Sequence, residues 1–507
     1  MLVLKFGGTS VGSPEAIRSL VSIVQDDEHR GRVRLVVVSA FSKVTDTLID
    51  MAKKAEVSDR SYTVMVSSLK KRHLETVAEL IPLRDQKTVQ DYIDEQCASL
   101  ERILDGVAAI GELSLKTLDL VMSFGERLSA CIIAQVFSSS GQKAEYLDAR
   151  LVVRTDDQFG SARFLPEETY PRIQAYLAVH EALQIATGFI GSTAEGKTTT
   201  LGRGGSDLSA AIFGAALGAE EIEIWTDVDG ILTSDPKLVS NAFRIDSISY
   251  QEAMELSHFG AKVLHPPTVR PALEKGIPIR IRNTFNPSCR GTLIAKQVPP
   301  SPYPVRGISS MRDIALIRIQ GSGMVGVAGF SSRLFGSLAR KKINIILITQ
   351  ASSEYSICFA VLPKDALQAA AAIKEEFEAE IAHGAIDAPV IEKDLSIVAV
   401  VGERMKSTPG IAGKVFHALG RNGINIVAIA QGSSELNISA VISRSDEGKA
   451  LNAIHDAFFL AGLRTVNLFL VGTGLIGSTL LEQIASQQEI LADEHKIRIN
   501  LIGVANS

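Results

Sequence analysis

Near its end the chain repeats itself: Ile343-Asn344-Ile345-Ile346-Leu347-Ile348-Thr349-Gln350-Ala351-Ser352-Ser353-Glu354 returns 81 residues later as Ile424-Asn425-Ile426-Val427-Ala428-Ile429-Ala430-Gln431-Gly432-Ser433-Ser434-Glu435. Two copies of one segment imply two copies of one structural unit. Each copy follows a glycine-bearing loop and a helix, Met324–Gly329 in the first and Thr408–Gly413 in the second. Each is followed by another strand (356–361, 437–443) and an amphipathic or Ala-rich helix. The unit reads β–loop–α–β–β–α, a ferredoxin-like module present twice.

Ahead of the repeat, short β-branched runs alternate with amphipathic helices, the pattern of an α/β fold. Arg34-Leu35-Val36-Val37-Val38-Ser39 suits a strand covered on both faces, and Ile93, Cys97, Leu100, Leu104 and Val107 follow helical spacing. Four prolines within Pro299-Pro300-Ser301-Pro302-Tyr303-Pro304 mark a linker. Behind the repeat, the strand Asn467–Val471 runs into Gly472-Thr473-Gly474-Leu475-Ile476-Gly477, a helix and a second strand, 499–504. That is the first β-α-β of a dinucleotide-binding fold, and roughly 40 residues are too few to complete it. The expected division is therefore 1–298, 305–385, 394–463 and 466–507.

A net charge of −5 argues against nucleic acid or an anionic membrane as the main partner. The cysteines at 97, 131, 289 and 358 form no C-x-x-C pair, so neither a disulfide framework nor a protein-held metal site is expected. No signal peptide is apparent, and no apolar run is expected to approach the ~18 residues of a membrane span. A cytoplasmic location is expected.

Chemistry concentrates at strand ends. In Lys5-Phe6-Gly7-Gly8-Thr9-Ser10 the glycines let backbone N–H groups approach phosphate oxygens and the lysine balances their charge. A plain strand–turn with a solvated lysine would look the same. Leu201-Gly202-Arg203-Gly204-Gly205-Ser206-Asp207 opens a helix and makes an anion-binding corner. Capping would explain Ser206 and Asp207, but not an arginine among three glycines. Ser123-Phe124-Gly125-Glu126-Arg127 puts a carboxylate on an apolar stretch near an expected helix start. There it either complements the helix dipole or receives a substrate ammonium. Thr226-Asp227-Val228-Asp229-Gly230 and Phe259-Gly260-Ala261-Lys262-Val263-Leu264-His265-Pro266 complete the set; Lys262 offers a second cation, and His265 reads as a structural loop residue.

Together these clusters resemble the aspartokinase branch of the amino acid kinase family over residues 1–296. The resemblance implies an αβα kinase sandwich phosphorylating the side-chain carboxylate of L-aspartate with ATP and Mg²⁺. It implies that Lys5 and Lys262 contact the nucleotide phosphates, with Gly7, Gly8 and Thr9 lining their site and Asp207 organising the catalytic lysine. Thr226 and Asp227 would lie by the nucleotide with Leu232 and Lys237, where relatives often carry an aromatic residue and an arginine. Thr45, Glu126, Phe189, Arg203 and Gly204 would contact aspartate. An ionised carboxylate nucleophile needs no general base; what it needs is relief from repulsion by a polyphosphate.

The duplicated module resembles a tandem ACT pair, the amino-acid sensor of aspartokinases, with Gln350 and Gln431 in equivalent effector-binding positions. In the first copy Ala328 stands where the second has Pro409. ACT pairs imply a homo-oligomer. The tail resembles the start of homoserine dehydrogenase, so NAD(P) chemistry would belong to a longer bifunctional protein, and threonine is indicated as effector over lysine. Competing readings are a glutamate-specific kinase of the same fold, and a sensor whose kinase site has decayed.

Overall fold

The computed structural model describes residues 1–261, 266–350, 355–432, 436–460, 464–493 and 497–506. The chain forms two compact units, residues 1–235 with 242–301, and residues 236–241 with 302–507.

The first unit contains β1 (Leu2–Phe6), β2 (Val33–Val38), β3 (Ala144–Leu147), β4 (Leu183–Thr187), β5 (Ile190–Ser192), β6 (Thr198–Thr200), β7 (Glu221–Thr226), β8 (Ser247–Ser249), β9 (Ile279–Asn283) and β10 (Thr292–Ala295). Eight of them form one sheet in the order β3-β4-β2-β1-β7-β9-β10-β8, parallel from β3 to β9, while β5 and β6 make a separate hairpin. All five residues of β1 are buried. Because successive side chains alternate, a strand buried throughout is covered on both faces. Leu4 and Phe6 join the large apolar cluster built with helices Pro14–Gln25, Val44–Glu56, Tyr62–Leu80, Leu83–Ile110 and Leu115–Ser139. Lys5, from the opposite face, reaches helix Gly205–Leu217. The chain leaves β1 for β2 on one side, and β7 takes the other side. That reversal opens a crevice at the strands' carboxyl ends.

One expectation needs correcting. Helix Leu115–Ser139 is long and apolar enough by composition to cross a bilayer, with a mean hydropathy of 1.4. Its apolar window is 78% buried within the unit, so its hydrophobicity is that of a core helix.

The second unit departs from two consecutive modules. It contains β11 (Gly307–Gln320), β12 (Leu347–Gln350), β13 (Ser356–Val361), β14 (Val390–Val401), β15 (Ile426–Gln431) and β16 (Asn437–Ser443), in one antiparallel sheet ordered β12-β13-β11-β14-β16-β15. The long strands β11 and β14 each serve both copies. Residues 314–318 of β11 pair with 390–395 of β14 beside the first copy, while 307–311 pair with 397–401 beside the second. The second copy's outer strand thus comes from the segment preceding the first. Glu447, buried in the second copy's helix Glu447–His455, accepts hydrogen bonds from Ser310 (2.6 Å) and Arg312 (2.5 Å) of β11. The repeat run places β12 and β15 correctly but carries no information about this exchange, whose partners lie outside it.

Later in the chain, β17 (Arg464–Val471) and β18 (Ile497–Ala505) pair in parallel as a separate two-stranded sheet, connected by helix Leu475–Asp493. A Cβ on Gly477 would collide with the carbonyl of Gly472, so a glycine is required where the turn folds against the helix start.

The strand exchange makes a prediction. Ile308 is buried in β11 opposite Val400. Ile308→Ala should cost about 2–4 kcal/mol and should speed amide hydrogen exchange in 426–431 and 437–443 more than in 347–350 and 356–361. Faster exchange confined to the first copy would contradict the assignment.

Candidate active site

Parallel register aligns Phe6 with Val38 on one side and with Trp225 on the other, bringing the loops after β1, β2 and β7 together. The first two loops touch backbone to backbone. A Cβ on Gly8 would lie 3.2 Å from the carbonyl of Ala40, and one on Gly12 would lie 2.9 Å from the carbonyl of Gly8. Arg72, from helix Tyr62–Leu80, spans both loops, donating to the carbonyls of Ser42 (2.9 Å) and Gly12 (3.0 Å). Below it the buried His73 stacks on Phe41 at 4.8 Å, and burial holds its imidazole neutral with a pKa of about 4.

These loops form one wall of a cavity of about 840 Å³. Lys5, Gly7, Gly8, Thr9 and Thr226 line one part of it. Lys5 Nζ lies 2.7 Å from Asp207 Oδ1, an ion pair with both side chains largely shielded from solvent. Asp207 sits in the first turn of helix Gly205–Leu217, whose N-cap is Gly204 in the left-handed region (φ 72°) with no side-chain cap. Capping therefore does not explain Asp207. The Gly205 N–H turns back to the Gly202 carbonyl (3.0 Å), and no side chain caps the helix start that lies beside the lysine, an arrangement suited to phosphate. A nucleotide triphosphate fits these groups: glycine amides, a cation and a helix N-terminus share one cavity.

Thr45, Glu126, Phe189, Arg203 and Gly204 also line the cavity. Glu126 is not near a helix start. It falls in the middle of Leu115–Ser139, so the dipole explanation fails. Gly125 is helical; a Cβ there would come within 2.7 Å of Ala40 Cβ, so the glycine lets this helix press against the loop after β2. Glu126 is buried, and burial pushes its pKa up to about 8 against hydrogen bonding from the Ala40 backbone. Its Oε2 has no hydrogen-bond partner among the described residues. A buried carboxylate lacking a partner is costly, and a substrate ammonium would supply one. Phe189 (φ 67°) and Lys43 (φ 67°) are non-glycine residues held in the left-handed region at the cavity wall, strain of the kind that collects at functional sites.

A buried ionic network underlies the floor. His29 contacts Asp26 (2.7 Å) and Glu223 (2.9 Å); Trp225 Nε1 donates to Glu223 (2.8 Å), and Arg282 lies over the indole at 4.5 Å. Burial opposes protonation of His29, but Glu223 and Asp26 outweigh it and raise its pKa. The network fixes Trp225, whose carbonyl accepts the Gly7 N–H (3.1 Å) and the Ser10 hydroxyl (3.3 Å).

The remaining expected residues lie elsewhere. Asp227 follows the cavity-lining Thr226 but does not line the cavity itself, nor does Leu232. Lys237 belongs to the 236–241 segment of the second unit. Asp229 and Gly230 are explained by packing: Asp229 accepts from Asn283 (2.8 Å) and Asn286 (3.1 Å), and a Cβ on Gly230 would collide with Thr292. Lys262 and His265 lie outside the described residues, as do 351–354 and 433–435 of the repeat. Gln350 and Gln431 are exposed at the ends of β12 and β15, two strands that approach one another. Sequence reading missed Ser39, Lys43, Asp46, Met122 and Gly160 in the cavity wall, and Arg72 behind it. The proximity of Ser39 and Lys43 to Thr45 was the available signal; nothing local marks Arg72.

Comparison with known proteins agrees with this geometry. The amino acid kinase family model matches residues 1–283, and an ACT domain model matches 317–377 and 398–458. Bifunctional aspartokinase/homoserine dehydrogenase 1, chloroplastic, of Arabidopsis thaliana is 39% identical over 515 residues, covering 100% of this chain and 56% of the relative. Aspartokinase 1, chloroplastic, of the same plant is 35% identical over 470 residues, covering 91% and 80%. The chain spans about half the length of the bifunctional plant relatives it matches. Escherichia coli aspartokinase III in complex with aspartate and ADP (R-state) superimposes with a TM-score of 0.76 at 30% identity, covering 90% of this chain and 99% of that one. Its complex with lysine and aspartate (T-state) gives 0.73 at 30% identity, with the same coverage.

Glu126 sets a pH dependence. Its folded pKa lies above the ordinary carboxyl value, so its contribution to stability is present below about pH 4.5 and is lost as pH rises towards 8. Without ligand, Glu126→Gln should gain stability relative to the parent across that window, by at most about 1.4 kcal/mol per pH unit, and no further above it. Parallel denaturant titrations from pH 5 to 9 measure this; a constant difference would place the carboxylate in a solvated setting.

Proposed function

Since the chain belongs to the amino acid kinase family and, within it, to the aspartokinases, we propose that it transfers the γ-phosphoryl group of ATP to the β-carboxylate of L-aspartate. The observation that carries this reading is the single cavity in which Lys5, Asp207, Glu126 and Arg203 meet. Arg203 pairs with the substrate's α-carboxylate, and Glu126, whose Oε2 has no hydrogen-bond partner among the described residues, takes its ammonium. Phe189, Thr45 and Gly204 enclose the remainder of the substrate.

The β-carboxylate is ionised at neutral pH, and its oxygen attacks the γ-phosphorus while the bond to the β,γ-bridging oxygen breaks, leaving ADP. No proton need be removed, so no general base is assigned. Lys5, held by Asp207, offsets the charge gathering on the transferred group, and the amide of Gly8 with Thr9 holds the phosphates, while Gly7, its N–H bonded to the Trp225 carbonyl, lines their site without a side chain in the way. Magnesium bound to the nucleotide's phosphates would supply further charge neutralisation beside Lys5. Lys262 is assigned as a second phosphate cation, with Thr226, Asp227, Leu232 and Lys237 towards the nucleoside.

The doubled ACT sheet is assigned to sensing an amino acid through Gln350 and Gln431, threonine in preference to lysine, and to association with a second copy. Support for threonine is the likeness to bifunctional relatives; the T-state Escherichia coli structure contains lysine. The β17–β18 segment is assigned as the start of a homoserine dehydrogenase domain, with NAD(P) use and dehydrogenase activity belonging to a longer protein. Four unpaired cysteines suit a reducing cytoplasm.

Trapping the acyl phosphate as a hydroxamate tests the reaction. Aspartate should be turned over and glutamate should not; turnover of glutamate alone would replace the substrate assignment. Lys5→Met should lower kcat by roughly 10²-fold or more while leaving effector binding intact, and undiminished turnover would remove Lys5 from the chemistry. Adding threonine, lysine and methionine in turn should show inhibition by threonine; inhibition by lysine alone would reassign the effector.

A further inference from the structure

Asp119 is wholly buried in the first unit, and the reaction as proposed leaves it unused. It lies on helix Leu115–Ser139 seven residues before Glu126, and the helical repeat puts both, with Met122, on the face that lines the cavity. Its carboxylate does not reach into the cavity as Glu126 does, because its acceptor capacity is taken by two loops. Oδ2 accepts the N–H of Gly160 (2.9 Å) and of Thr200 (3.0 Å), and Oδ1 accepts the Thr200 hydroxyl (2.7 Å).

Those donors are placed where the substrate end is assembled. Gly160 itself lines the cavity, and Thr200 closes β6 three residues before Arg203. The two loops are joined again by the Ala162 N–H, which donates to the Thr200 carbonyl at 2.8 Å. A Cβ on Gly202 would come within 2.9 Å of Ser161 Oγ, so the arginine-bearing turn rests directly on the Gly160 loop. Arg203 is exposed, and its position is inherited from this turn.

We propose that Asp119 is a positioning residue for substrate recognition: it fixes the Arg203 turn against the helix that carries Glu126, setting the spacing between the groups that receive the amino acid's carboxylate and ammonium. The proposal rests on the aspartate reading above. A carboxylate with no such role would stabilise the fold without distinguishing one substrate from the other. The nucleotide end is built from β1, β7 and the start of helix Gly205–Leu217, whereas the hydrogen bonds of Asp119 go to Gly160 and Thr200, so its loss should be felt by one substrate.

The test uses the full chain. Asp119→Asn exchanges one acceptor oxygen for an NH₂ group facing backbone donors, and Thr200→Val removes only the hydroxyl donor. Asp119→Asn should raise KM for aspartate roughly tenfold or more, leaving KM for ATP within about twofold. Thr200→Val should show the same split at a few-fold. Melting temperature is followed for both. Should Asp119→Asn fail to fold, Thr200→Val decides the matter. Unchanged aspartate KM with a lowered melting temperature, or equal rises in both KM values, would overturn the positioning role. A parent protein that turned over no aspartate would overturn the substrate reading and this proposal with it, an outcome visible before any variant is assayed.

Discussion

The ion pair between Lys5 and Asp207 joins the penultimate residue of a central strand to the first turn of a helix more than 200 residues away, 2.7 Å apart. Both ends are mostly withdrawn from water, and desolvating two charges is expensive unless each satisfies the other. The pair is therefore poor evidence of added stability. What it does is hold an ammonium still, beside glycine amides and an uncapped helix start. Remove the aspartate and the lysine becomes a mobile cation; remove the lysine and a buried carboxylate is left against the pole that should receive phosphate.

Support for that geometry comes from several directions. Arg72 bridges the carbonyls of Ser42 and Gly12, and the network of His29, Glu223 and Arg282 anchors Trp225, whose carbonyl receives Gly7 and Ser10. Apart from the Ser10 hydroxyl, these contacts act on backbone, so the loops around the cavity are held largely through their peptide groups.

Much of this was legible in the sequence because strand-end motifs are local. KFGGTS and WT fall where parallel pairing gathers strand ends, GRGGSD falls at a helix start, and Lys5, Gly7, Gly8, Thr9, Glu126, Arg203, Asp207 and Thr226 do share a cavity. The failures are of a different kind. Glu126 was expected near a helix start but lies mid-helix, beside a Gly125 whose missing side chain serves contact with Ala40, far off in sequence. Ser206-Asp207 looked like a cap, yet the helix begins at a bare glycine. Arg72 lies on a helix whose residues show no motif at all. Local pattern reports what a segment is; it does not report what presses against it.

The six-stranded sheet has an implication for how this half of the chain is made. Residues 307–311 wait for 397–401, roughly ninety positions later, so the strand that completes the second copy is synthesised before the first copy has formed. Closing so wide a loop carries an entropic penalty that later contacts must offset, and pairings this distant slow folding. The arrangement also means that the second copy's sheet takes no strand from beyond the helix Glu447–His455, which is followed only by the buried Phe458 and Phe459 packed back on the module. Whatever comes after Leu460 is released from sheet duty, and a further domain joined there leaves the doubled sheet complete.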